Sequence, residues 1–110
     1  MDADFGGTVL GLAAFAHVVP AKFRTSATEV AALVLLSGRP IDPEAPGELV
    51  EAVPQQAKST AYMVVASLNR LKPKQRASIF DWARVLLVFR SGKPEEWELH
   101  HSKHAKARRR

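Results

Sequence analysis

The sequence predicts an all-α fold, a compact bundle of about five helices carrying a basic C-terminal tail. Three observations predict it. Apolar residues recur at helical spacing in several windows, strand-like alternation is almost nowhere sustained, and a Pro or Gly falls close to the end of most helical windows. With 110 residues and 46% apolar content, the chain is long enough to bury one core and too hydrophobic to remain disordered. We therefore expect one helical domain over residues 1–99. The tail over 100–110 is expected to be partly helical or disordered.

The first helix is expected over TVLGLAAFAHVV (8–19), where Val9, Leu12, Ala13, Ala16 and Val19 lie near helical spacing and Pro20 ends the run. That run falls short of the roughly 20 apolar residues that span a bilayer, so no stable membrane insertion is expected. The second helix, SATEVAALVLLSG (26–38), shows the spacing of a capping box in Ser26 and Glu29, with Gly38 placed for a left-handed C-terminal cap. RPIDPEAPG (39–47) reads as a connector in which Asp42-Pro43 starts a turn. Residues 48–53 complete a short helix.

Pro54 then opens a longer helix over 55–71, with Tyr62, Val65, Ala66 and Leu68 as apolar positions. Pro73 disfavours helical geometry at Lys72 and breaks the chain there. The helix over 74–91 is apolar on most sides, through Ile79, Phe80, Trp82, Ala83, Leu86, Leu87 and Phe89, and Gly92 caps it. Such a helix belongs at the centre of a bundle or in a subunit interface. Pro94, Glu95 and Glu96 mark a last helix start, which Trp97 anchors to the body and which fades into HHSKHAKARRR (100–110).

Charge is segregated along the chain. Residues 1–57 carry three basic side chains against seven acids, whereas 58–93 carry eight against Asp81 alone. Lys103, Lys106, Arg108, Arg109 and Arg110 give the tail +5, equal to the net charge of the whole chain. Clustered Lys and Arg are the footprint of a polyanion partner, because neutralising phosphates releases condensed counterions. NRLKPKQR (69–76) gathers Arg70, Lys72, Lys74 and Arg76 at one helical corner, and no acid occurs from 58 to 80. These four residues and the five tail cations are the expected phosphate contacts, to DNA or RNA. Base reading is not expected, since a helix-turn-helix needs a polar second helix and FDWARVLLVFRSG supplies none.

The expected function is therefore that of a small nucleic-acid-binding accessory or regulatory protein acting through backbone phosphate contacts. The alternative is a protein-interaction module, a homodimer or an adaptor or inhibitor of a larger complex, held by Phe80, Trp82 and Phe89. His100 and His104 share the i,i+4 spacing of zinc helices, with His101 beside them, but the surrounding cations oppose a divalent ion and no metal is expected. The absence of Cys excludes disulfides and thiolate chemistry, and it fits a cytoplasmic protein. Asp2 and Asp4 stand where a secretory signal would carry positive charge. GGTVLG (6–11) lacks the Gly-Lys-Ser/Thr of a phosphate loop, His17 reads as a core-edge residue, and Asp81 with Arg84 reads as a surface ion pair. No nucleophile, base and oxyanion site assemble, so neither enzymatic activity nor a cofactor is expected.

Overall fold

The computed structural model describes residues 5–92, which form an all-α bundle. Its helices are α1 (Phe5–Ala13), α2 (Ala21–Ser37), α3 (Glu48–Ala52), α4 (Lys58–Asn69) and α5 (Pro73–Ser91), with short 3₁₀ turns at Ala16–Val18 and Gln55–Ala57. The proposed last helix lies outside the described residues.

The centre of the bundle is α2. Val30, Ala31, Ala32, Leu33 and Val34 are all fully enclosed, so this stretch is covered on every side. Two consecutive alanines let neighbouring elements approach closely, and α2 packs most extensively on α5 and then on α1. The helix over 74–91, expected at the centre or in a subunit interface, is half-buried. It sinks Ile79, Phe80, Ala83, Leu86 and Leu87 into the core and leaves Asp81, Phe89 and Arg90 at the surface. Fully burying a side chain such as Phe80 removes enough apolar surface from water to contribute about 2–3 kcal/mol.

The largest boundary shifts fall between α1 and α2, while α1 begins earlier than expected and α4 is shorter at both ends. α2 begins at Ala21, with Pro20 as its N-cap, so Ser26 and Glu29 lie in the helix interior and form no capping box. Pro20 therefore starts a helix; it does not end one, because a fixed φ and a missing N–H are both tolerated at a helix entrance. The first helix ends at Ala13, and the chain passes through a 3₁₀ turn that places Val19 in the core. The C-terminal signals hold: Gly38 adopts φ 74° and donates to the carbonyls of Val34 and Leu35, and Gly92 adopts φ 70° and donates to Val88. The Asp42-Pro43 turn also forms, with the Glu44 N–H donating to Asp42 Oδ1 at 2.9 Å.

One device recurs at three corners of the bundle. In each, a cation in the first turn of a helix reaches back to two carbonyls, eight and five residues earlier, at the end of the preceding segment. Arg24 donates to Ala16 O at 3.1 Å and to Val19 O at 2.9 and 3.2 Å. Lys58 Nζ donates to Val50 O and, at 3.3 Å, to Val53 O. Arg76 Nη1 donates to Leu68 O at 3.3 Å and to Leu71 O at 3.4 Å. Each corner contains a Pro three or four residues before the cation: Pro20, Pro54 and Pro73. The Pro turns the chain, and the cation then donates to carbonyls at the end of the preceding segment while sitting at the negative end of that segment's dipole. Two of these carbonyls, Ala16 O and Leu68 O, also accept a backbone N–H.

Candidate nucleic-acid interface

The basic corner between α4 and α5 is a tight turn. The Arg70 N–H donates to Ser67 O at 3.1 Å and the Leu71 N–H to Leu68 O at 3.1 Å, closing α4. Lys72 is the N-cap of α5 with extended backbone (φ −68°, ψ 152°), as the following Pro73 requires. Its N–H donates to Gln75 Oε1 at 3.1 Å, which is half of a capping box. The other half has no chemistry here, because a Lys ammonium cannot accept a hydrogen bond.

The four cations of the corner divide into two kinds. Arg76 is half-buried, and its Nη1 donates to the carbonyls of Leu68 and Leu71. Arg76 thus has a structural task, that of stitching α4 to α5, which sets it apart from the other three cations of the expected phosphate-binding set. Arg70, Lys72 and Lys74 are exposed, and among the described residues their side chains make no hydrogen bond or ion pair. No acid lies in the first turn of α5. Lys72 and Lys74 therefore stand at the positive end of a helix dipole without compensation, an arrangement that costs a few tenths of a kcal/mol for each charge. The tail cations Lys103, Lys106, Arg108, Arg109 and Arg110, together with Trp97 and the histidines at 100, 101 and 104, lie outside the described residues.

The three aromatics expected at an interface separate as well. Phe80 is fully enclosed in the core, so its ring serves the fold and is unavailable to a partner. Trp82 is half-buried and packs against the core cluster. Phe89 is 53% exposed and its ring stacks on Phe15, with centroids 6.1 Å apart and planes 6° from parallel. Helical phase explains the division: Phe80 falls in the stripe with Ala83 and Leu87 that faces α2, while Phe89 lies off it.

Phase also corrects α4. Its buried stripe is Ala61, Val64, Val65 and Leu68, a clean i, i+3, i+4, i+7 set. Tyr62 and Ala66, taken from the sequence as apolar positions of this helix, face outward, and Met63 lies beside them. Tyr62 is 63% and Met63 68% exposed, so both are surface residues on the helix that leads into the basic corner, a placement that sequence reasoning missed. The signal was present, because the 61/64/65/68 set accounts for the core face without them.

The remaining single-residue expectations resolve simply. His17 is exposed. Asp81 is exposed and Arg84 half-buried, with its Nε enclosed and unbonded among the described residues. Glu29 is half-buried on α2, and burial pushes its carboxyl above the usual carboxylate range. Among the described residues no cluster of His, Asp or Glu has the makeup of a metal site, and no helix is long and apolar enough to cross a membrane. Comparison of the chain with protein-family models, with curated proteins and with solved structures finds no match.

Proposed function

We propose that this is a small nucleic-acid-binding accessory or regulatory protein of the cytoplasm, without enzymatic activity, which grips phosphates through the α4–α5 corner and the basic tail. One observation carries the reading. The corner needs one cation to hold its carbonyls, and the other two corners of the same design are held by one cation each. Arg70, Lys72 and Lys74 are therefore surplus to the fold, exposed, and unopposed by any acid from 58 to 80. A solvated loop selected only for solubility would mix signs, because like charges crowded at a helix N-terminus cost stability. The five tail cations add a second phosphate-seeking element, worth about −4.5 in the salt slope on duplex DNA if all are engaged.

The test is fluorescence-anisotropy titration of the full chain on duplex DNA, single-stranded DNA and RNA across a salt series, beside a chain ending at Leu99. Binding that weakens without the tail but persists supports a composite surface of corner and tail. Absence of binding by either chain at low salt sinks the proposal. A second reading rests on exposed Leu10 and Phe89, which leave apolar surface on α1 and α5. It is a protein-interaction module, homodimer or adaptor, that binds no nucleic acid. Light-scattering mass measurement separates the two, since a strict monomer with salt-dependent nucleic-acid affinity contradicts the second reading.

A further inference from the structure

The outward face of α4 continues the basic corner. Ser59, Tyr62, Met63, Ala66, Ser67, Asn69 and Arg70 are all exposed. At 100° per residue, 59, 62/63, 66 and 70 follow one another along a single stripe. The stripe is uncharged until Arg70, after which the chain enters the turn that carries the exposed cations Lys72 and Lys74. Tyr62 lies eight residues before Arg70, about 12 Å along the helix axis. An exposed aromatic ring and an exposed thioether thus share the outward face of α4 with Arg70, at the end of the helix that leads into Lys72 and Lys74.

We propose that this surface binds single-stranded nucleic acid, with a base stacked on the Tyr62 ring and the adjoining phosphates held by Arg70, Lys72 and Lys74. The inference rests on the phosphate-binding reading of the corner and names its substrate class. Every base has a π-face, and stacking on an aromatic side chain requires a base that is not already stacked between duplex neighbours. A duplex offers base edges in its grooves, and reading them requires a polar helix face. Here the helix that follows the turn, α5, commits Ile79, Phe80 and Ala83 to the core. Charge complementarity fixes the occupant: the cations face no acid from 58 to 80, and a polyphosphate backbone supplies the missing charge.

The experiment is anisotropy titration of the full chain with short oligothymidylate, short oligouridylate and a hairpin duplex. Tyr62→Ala, Tyr62→Phe and the triple variant Arg70→Gln/Lys72→Gln/Lys74→Gln are run in parallel, with circular dichroism to check the fold. We expect single strands to bind more tightly than the duplex, and Tyr62→Ala to weaken single-strand binding about tenfold with duplex binding unchanged. Tyr62→Phe keeps the ring face and should keep the affinity. The two oligonucleotide arms report whether the strand is DNA or RNA. If Tyr62→Ala binds single strands as the parent does while the triple variant loses them, the stacking inference is overturned and the phosphate reading stands. An equal loss on duplex and single strand also overturns it. Absence of binding to any of the three ligands removes the phosphate reading, and this inference with it.

Discussion

The corner before α2 and the corner before α5 are built alike and charged differently. Both turn at a Pro and are closed by an Arg that reaches carbonyls eight and five residues back. At the first corner Arg24 makes three such bonds, the shortest 2.9 Å, and Lys22 lies over the Phe23 ring at 5.1 Å. At the last corner Arg76 makes two longer bonds, and Arg70, Lys72 and Lys74 precede it with no side-chain partner among the described residues. The difference separates architecture from surplus. Because the same turn closes well with one Arg, the additional charge at 70–74 is not explained by folding.

Neutralising that surplus is the largest expected effect, and it falls on binding. Arg70→Gln/Lys72→Gln/Lys74→Gln should lower nucleic-acid affinity about a hundredfold and flatten the single-strand salt slope by about 2, at roughly 0.7 for each phosphate contact. Its stability should stay within about 0.5 kcal/mol of the parent, as for surface changes elsewhere. A large fall in the urea midpoint would show instead that the extra cations belong to the fold. Arg24→Ala should cost about 1.5 kcal/mol, because three carbonyl bonds are lost at a partly buried turn. Arg76→Ala should cost about 1 kcal/mol, reflecting two weaker bonds, and chemical denaturation of both variants checks the order. Equal affinity losses from Arg76→Gln and Lys74→Gln would erase the division between stitching and surplus cations.

The smallest effect lies in the acidic N-terminal half of the chain. Burial raises the folded-state pKa of Glu29 above its unfolded value, so between those two values the folded state binds more protons and stability falls as pH rises. Glu29→Gln should therefore raise Tm slightly at neutral pH. The gain should shrink as pH falls through the folded pKa and vanish below the unfolded one, and thermal melts across that acid range measure it.

Much of the bundle was legible in the sequence, and the misses share a cause. Pro73 broke the chain where expected, Gly38 and Gly92 capped where expected, and the Asp42-Pro43 turn formed. Those signals act through the residue's own backbone. Ser26 and Glu29 misled because their spacing suits a cap only at a helix start, and nothing local reveals that Pro20 already supplies one. Thr28, close by, bonds its hydroxyl to Arg24 O at 2.7 Å and so sits comfortably inside the helix. The large apolar residues of α5 suit either a bundle centre or an interface, whereas alanines at 27, 31 and 32 allow α2 to be the surrounded helix. At the site, the cluster of cations was visible but its division was not. Which Lys or Arg answers a carbonyl is decided by partners that carry no side-chain signature.

The stitched corners also bear on the order in which the chain assembles. Each stitch closes a loop of only eight residues, a loop-closing event that takes about 10–100 ns. The pairing of α2 with α5 joins segments separated by all of α3 and α4, so it meets a far larger closure entropy. Helical corners should consequently be present early, and the docking of α5 on α2 should govern the folding rate. In a chevron analysis, Phe80→Leu is expected to slow refolding, whereas Leu49→Ala, on the short helix α3, is expected chiefly to speed unfolding.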